Sequence, residues 1–131
     1  MIVLDTHVFV WWLMQSPKLS ARAKREIRRA TRVRSIVVSA VSIFEIATVV
    51  RRGRLQLGTT VDQWLDTAKS LPELHVEPVT DQIARLAGGF ADQLPGDPAD
   101  RIIVATALTL HAKLVTADDR LRQSQKVETV W

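Results

Sequence analysis

Six acidic residues occupy positions that would lie close together in a fold of alternating strands and helices. They are Asp5, Glu45, Asp97, Asp100, Asp118 and Asp119. Carboxylates packed together raise one another's pKa, and a divalent cation relieves that repulsion. The sequence has no cysteine and no well-placed histidine, so oxygen ligands favour Mg²⁺ or Mn²⁺ over Zn²⁺. Whether the acids share an ion depends on the elements that carry them.

The stretch 96–107 predicts a helix with two acids at its start. Asp97 suits the N-cap and Pro98 the first helical position, which leaves Asp100 in the first turn. Residues 102–112 are nearly all apolar or small, so the helix should be buried against a sheet. From this stretch alone, the simpler interpretation is that the two acids only cap the helix and complement its dipole. Each would then stabilise the helix by about 0.3 to 2 kcal/mol.

Acids also follow two predicted strands. Asp5 follows the apolar run 2–4, and Asp118 and Asp119 follow the predicted strand at 113–116. Open α/β sheets bind ligands at the carboxyl ends of their strands, so both places are candidate site positions. The alternative is that Asp5 or Thr6 merely caps the next helix.

Glu45 lies among apolar residues of a predicted helix that ends at the Arg51-Arg52-Gly53 segment. Ser42 and Glu45 have the spacing of a capping box, which is the structural alternative. If the helix instead begins at Ser39, directly after a strand, Glu45 is too deep to cap. A charge on such an apolar surface is seldom buried without a partner or a metal.

Alternating strands and helices predict a single α/β domain over residues 1–131 with a parallel, doubly wound sheet. Further strands are predicted at 36–38 and 75–79, with an edge strand at 127–131, and further helices at 20–31, 60–71 and 80–90. We expect His7 to pack or to hydrogen bond rather than to bind a metal. Of Trp11 and Trp12, we expect one in the core and the other at an interface.

Basic residues are concentrated in one part of the chain, which carries a net charge of +4 and has a pI near 10.1. Eleven of the eighteen lysines and arginines lie between residues 18 and 54. The helix at 20–31 is therefore a candidate polyanion-binding surface, with Arg25, Arg28, Arg29 and Arg32 as candidate nucleic-acid contacts. The alternative is an ordinary solvated helix face.

The absence of cysteine suits a reducing compartment, and the first residues lack the basic region of a signal peptide. No apolar run reaches the roughly 20 residues that a membrane helix needs. We therefore expect a cytoplasmic protein without a membrane segment.

An acid-bound Mg²⁺ beside a basic surface suits hydrolysis of phosphodiester bonds. The sequence lacks a P-loop, a dinucleotide-binding glycine motif and a nucleophile elbow. Nothing therefore supports nucleoside-triphosphate binding, dinucleotide binding or serine-hydrolase catalysis through those motifs. A response-regulator receiver would need an acid after a central strand, and Val76-Glu77-Pro78 supplies no such aspartate.

Four motifs together resemble the PIN-domain ribonucleases, and more narrowly the VapC toxins of type II toxin-antitoxin systems. The motifs are LDTHVFVWWL at 4–13, SAVSIFEIA at 39–47, DPADRIIVATA at 97–107 and LVTADDRL at 114–121. The resemblance covers the chain in order. It implies a three-layer α/β/α PIN fold with a central parallel sheet, and Mg²⁺- or Mn²⁺-dependent endoribonuclease activity. It also implies a homodimer and inhibition by a cognate VapB-type antitoxin.

The resemblance also implies a role for each matching residue. Asp5 and Asp100 would hold the metal, with Asp97 as a further ligand or support; Glu45 and Asp118 would be the remaining catalytic acids. Thr6 and Thr116 would orient carboxylates or water. The fourth role falls to Asp118 or Asp119, and motif position favours Asp118. The alternative function is a PIN-like module that binds RNA or protein without cutting.

Overall fold

The strands form one five-stranded parallel sheet in the order β3-β2-β1-β4-β5. The computed structural model describes residues 1–92, 94 and 96–131. The strands are β1 (Ile2–Leu4), β2 (Ile36–Ser39), β3 (Leu74–Glu77), β4 (Lys113–Val115) and β5 (Thr129–Val130). The α/β class and the parallel sheet are thus confirmed, and β1 lies at the centre of the sheet.

Seven helices accompany the sheet in the part of the chain that the structure describes. They are α1 (Thr6–Leu13), α2 (Ala21–Arg32), α3 (Ala40–Arg51), α4 (Val61–Lys69), α5 (Asp81–Gly89), α6 (Pro98–Thr109) and α7 (Asp119–Ser124). Each begins after a Ser, Thr or Asp N-cap whose side-chain oxygen accepts a backbone N–H, which satisfies a donor that the helix leaves free. None of these helices is both long enough and apolar enough to span a membrane.

The two faces of the sheet bury different cores, which makes the molecule three-layered. Ile2 and Leu4 of β1 point into one core, together with residues of α1 and α2. Val3, between them, points into the other core, which contains Ile103 and Val104 of α6. This alternation follows from the two-residue period of a strand, and both faces are apolar because both are covered.

The structure differs from the sequence-based prediction at several element ends. The strand predicted at 75–79 is β3, and it ends before Pro78, which has no N–H for the ladder. The predicted edge strand at 127–131 is shortened to β5. Helix α6 ends at Thr109 because His111 takes a left-handed conformation (φ 53°) and Ala112 N–H donates back to the Ala107 carbonyl. Helix α7 was not predicted at all.

Candidate active site

Asp5 directly follows the carboxyl end of the central strand β1. Both of its carboxylate oxygens accept hydrogen bonds, which hold the side chain there. Its backbone N–H donates to the Val115 carbonyl of the neighbouring β4 at 3.0 Å. Its Oδ1 accepts from Thr6 N–H at 2.8 Å, and its Oδ2 accepts from the Thr116 hydroxyl at 2.7 Å. Asp5 therefore does cap α1, and the same contacts fix a buried carboxylate in one orientation.

Glu45 projects from the second turn of α3 and is held by a chain of hydroxyls. Helix α3 starts after Ser39, so the capping-box alternative is excluded. The Thr6 hydroxyl donates to Glu45 Oε1 at 2.5 Å, and it lies 2.9 Å from the hydroxyl of the fully buried Ser42. A hydroxyl has one proton, so when Thr6 donates to Glu45, Ser42 donates to Thr6.

Asp97 and Asp100 lie at the start of α6, as the sequence predicted. Asp97 is the N-cap, and its Oδ1 accepts from Ala99 N–H at 2.8 Å. Asp100 lies in the first turn with its side chain only 15% exposed. Capping accounts for the position of Asp97, whereas the half-buried Asp100 has no capping role.

Asp118 and Asp119 differ sharply in their surroundings. Asp118 caps α7, and its carboxylate accepts from Arg120, whose guanidinium also lies 4.0 Å from Asp100. Its backbone N–H donates to the Thr116 hydroxyl at 3.1 Å, which links it to Asp5. Asp119 is 79% exposed and pairs with Arg122.

The acids from these separate elements line one cavity of about 370 Å³ at the carboxyl ends of β1, β2 and β4. This acid cavity is lined by Asp5, Glu45, Asp97, Asp100 and Asp118, together with His7, Trp11 and Arg120. The fold thus brings together residues that are as much as 113 positions apart, 5 to 118. Thr6 also lines the cavity, and Thr116 supports it from beneath.

Burial and mutual repulsion raise the pKa of three of these carboxyl groups. Burial raises the pKa of Asp5 and of Glu45, against the hydrogen bonds from the two threonines, which lower it. Burial, together with the charges of Asp5, Asp97, Asp118 and Glu45, raises the pKa of Asp100 to about 7. At Asp118, desolvation is outweighed by hydrogen bonds from Arg120, which hold its pKa below the usual value.

The donor set suits a hard divalent cation. Five carboxylates line the cavity against one arginine and one exposed histidine, and oxygen ligands of this kind are typical of Mg²⁺ and Mn²⁺ sites. Among the described residues, no three histidine, aspartate or glutamate side chains stand in the arrangement of a formed metal site. Asp5, Glu45 and Asp118 accept hydrogen bonds from Thr116, Thr6 and Arg120, respectively, and an ionised carboxylate that accepts such a bond keeps further lone pairs for an ion.

Besides Thr116, five predicted site residues do not line the acid cavity. Asp119 is exposed and is not part of the lining, whereas Asp118 is. The candidate RNA contacts Arg25, Arg28, Arg29 and Arg32 are exposed along α2, and none of them lines the cavity. Ser35, just after this helix, accepts a hydrogen bond from Ile2 N–H, so the end of α2 lies at the amino ends of the strands.

Four residues at the site were not predicted as site residues from the sequence: His7, Trp11, Ser42 and Arg120. His7 is exposed at the cavity, where its ring packs against the Trp11 ring with the centroids 5.8 Å apart. The sequence indicates Ser42 only as part of a capping box, because its contact with Thr6 depends on how α1 packs against α3. Arg120 lies two residues after an N-cap aspartate, a spacing that lets its side chain fold back onto the carboxylate.

Comparison with known proteins identifies relatives along nearly the whole chain. A family model described as PIN domain matches residues 2–127. The chain is 39% identical over 134 residues to Ribonuclease VapC22 of Mycobacterium tuberculosis. The alignment covers 99% of this chain and 98% of that protein.

Solved structures with the same fold are also found. One contains VapBC2 from Rickettsia felis bound to a DNA fragment from the promoter; it has a TM-score of 0.72 and 17% identity, and covers 98% of this chain and 97% of that one. A toxin-antitoxin complex from Klebsiella pneumoniae has a TM-score of 0.59 and 18% identity, with coverage of 90% and 87%.

Proposed function

This chain belongs to the PIN-domain family, and from that premise we propose that it is the ribonuclease toxin of a type II toxin-antitoxin pair, acting with Mg²⁺ or Mn²⁺. The observation that carries the proposal is the convergence of acids from four separate segments on one cavity. The family membership and the 39% identity to a named ribonuclease support the same activity.

The side chains of the cavity have distinct roles in this proposal. Asp5 and Asp100 would hold the ion, with Asp97 beside them, while Glu45 and Asp118 complete the carboxylate set. When bound, the ion would lower the pKa of a water molecule and offset charge on the phosphate. The Thr116 and Thr6 hydroxyls keep Asp5 and Glu45 in place, and the exposed Arg120 guanidinium can donate to a phosphate oxygen.

A VapB-type antitoxin is the proposed protein partner. The solved relative from Rickettsia felis is a VapBC assembly, and that from Klebsiella pneumoniae is a toxin-antitoxin complex. A homodimer is proposed as well, because Phe44 of α3 is 70% exposed beside an apolar cavity between α3 and α6. Phe44 lines this cavity together with Val41, Val49 and Ile102, and a contiguous apolar patch of this kind is typical of an interface.

The activity can be tested with end-labelled RNA and purified protein. We expect cleavage in Mg²⁺, loss of cleavage in EDTA and recovery when Mg²⁺ is restored. Asp5→Asn should lower the rate at least about 1000-fold, since it removes a charged ligand of the ion. Asp62→Asn, in the first turn of α4 and exposed, is the matched control and should cleave at the normal rate.

Cleavage that persists in EDTA would contradict the metal dependence. An Asp5→Asn protein that cleaves like the unmodified one would contradict the site. RNA binding without cleavage in Mg²⁺ or Mn²⁺ would favour the non-catalytic PIN-like module instead.

A further inference from the structure

A second cavity opens directly beside the acid cavity and differs from it in charge. It has a volume of about 430 Å³ and shares Thr6, His7, Trp11 and Glu45 with the acid cavity. Its further lining includes Lys18 from the loop after α1 and Arg54 from the turn after α3, and we call it the basic cavity. A molecule held in the acid cavity can therefore extend into the basic cavity across His7 and Glu45.

The two cations of the basic cavity are available to a ligand. Lys18 and Arg54 are both exposed, and within residues 1–92, 94 and 96–131 neither forms an ion pair with a carboxylate. The acid cavity has five carboxylates, whereas Glu45 is the one carboxylate among the described lining of the basic cavity. The charge thus changes from negative to positive along the shared opening.

Aromatic rings line the part that the acid cavity and the basic cavity share. The Trp11 ring lies 5.8 Å from the His7 ring and 5.9 Å from the Trp131 ring, measured between centroids. The Lys18 ammonium lies 5.7 Å from the centroid of the Trp11 ring. Trp11 is partly buried and packs against the core, so its ring is fixed, while the exposed lysine can move from the ring to an anion.

A left-handed turn directs Arg54 back toward the cavity. Helix α3 ends at Arg51, and Gly53 adopts a φ of 71°. The Gly53 N–H donates to the Val50 carbonyl and the Arg54 N–H to the Val49 carbonyl, which is the pattern of a Schellman motif. Because this motif fixes the backbone at Arg54, the arginine begins from an ordered position beside Val49, which also lines the cavity.

We propose that the basic cavity binds the nucleotide next to the cleaved phosphodiester, with its base against Trp11 and His7 and its phosphate at Lys18 and Arg54. This inference rests on the proposed ribonuclease function. An aromatic surface beside a pair of cations is the combination that binds single-stranded RNA without base-pairing. The volume suits one nucleotide, and the charge gradient orients the strand so that one phosphate reaches the acids and the next reaches the cations.

The test measures binding of a short RNA to a protein that does not cut it. The parent protein carries Asp100→Asn, because Asp100 lines the acid cavity and not the basic one. The probe is hexauridylate with one central uridine replaced by 2-aminopurine, whose fluorescence falls on stacking. We expect the parent to quench the probe, and Lys18→Ala with Arg54→Ala to weaken binding about tenfold, with a smaller dependence on salt.

Removal of the Trp11 ring separates stacking from charge. Trp11→Leu should abolish the quenching and weaken binding about tenfold, while Trp11→Phe, which keeps a ring, should bind within about threefold of the parent. Trp12→Leu removes an equal indole from the adjacent position, outside both cavities, and should leave quenching unchanged. Lys69→Ala with Lys126→Ala removes the same charge from exposed positions outside both cavities and should also leave quenching unchanged. Thermal melts show that each variant is folded.

Failure of this inference is distinct from failure of the ribonuclease function. Equal quenching by the parent and Trp11→Leu, a change under twofold in Lys18→Ala with Arg54→Ala, or no binding by the parent would each overturn the basic cavity as a nucleotide site. Cleavage of RNA by the unmodified protein in Mg²⁺ would still stand in all three cases. Absence of that cleavage would instead remove the ribonuclease function itself.

Discussion

The acid cavity and helix α2 are two highly charged regions of the molecule, and they arise in opposite ways. The acids are scattered through the sequence and meet because parallel strands end at the same edge of the sheet. The α2 arginines are neighbours in the sequence and spread apart along an exposed helix. Nearness in sequence therefore does not predict nearness in space, whereas position relative to a strand end does.

The difference has an energetic side as well. The converging carboxylates are partly desolvated and share hydrogen bonds with two threonines, so each depends on the others. The arginines of α2 face water, where charges interact weakly and are screened by salt. A change in the acid cavity should therefore have a large and specific effect, and a change on α2 a small and uniform one.

The largest effect that tests this comparison is expected from two adjacent aspartates. Asp118→Asn should lower the cleavage rate about 100-fold, because Asp118 lines the acid cavity and is linked to Asp5 through Thr116. Asp119→Asn removes the same charge one residue later, outside the cavity, and should change the rate less than about twofold. Cleavage rates of labelled RNA at saturating Mg²⁺ provide the measurement.

Equal losses in the two variants would show that position at the cavity does not decide the effect. A loss in Asp119→Asn alone would transfer the fourth acidic role to that residue. Circular dichroism spectra of both proteins exclude unfolding as the cause.

The pattern of acids at strand ends was visible in the sequence, and so was most of the fold. Apolar runs such as 2–4 and 36–38 gave the buried strands, and Ser, Thr or Asp residues marked the helix starts. The contacts of Ser42 and Arg120 were not predictable, because they depend on how α1 meets α3 and on a helix, α7, that is only six residues long. A helix this short has too few residues to show a period.

A smaller effect is expected on the folding stability of the metal-free protein, in which the carboxylates of the acid cavity repel one another. Asp100→Asn should stabilise the metal-free protein at pH 7.5 by about 1 to 3 kcal/mol, because it removes a charge that its neighbours repel. Thermal or urea unfolding in EDTA measures this difference. Added Mg²⁺ should raise the melting temperature of the unmodified protein more than that of Asp100→Asn, since only the former keeps the full carboxylate set.

The dependence on pH follows from the direction of the shift. The pKa of Asp100 rises from 3.8 to about 7 on folding, so between these values the folded state holds a proton that the unfolded state has released. The stability of the unmodified protein in EDTA should therefore fall as the pH rises from about 4 to 7. The advantage of Asp100→Asn should grow over the same range and level off above pH 7. An advantage that is constant with pH would contradict the repulsion.

The smallest effect is expected from α2, where the charges do not converge. Arg28→Glu with Arg29→Glu should weaken binding of unrelated RNA sequences by a similar factor of about three to ten and reduce the salt dependence, while the rate of cleavage at saturating RNA stays the same. A filter-binding titration at several salt concentrations provides the measurement. Unchanged affinity would mean that α2 is an ordinary solvated face, and a fall in the saturated rate would mean that the basic helix acts on the cleavage step. We expect a loss of affinity without a loss of the saturated rate. Exposed cations add affinity by long-range attraction, but they do not place any phosphate at the acids.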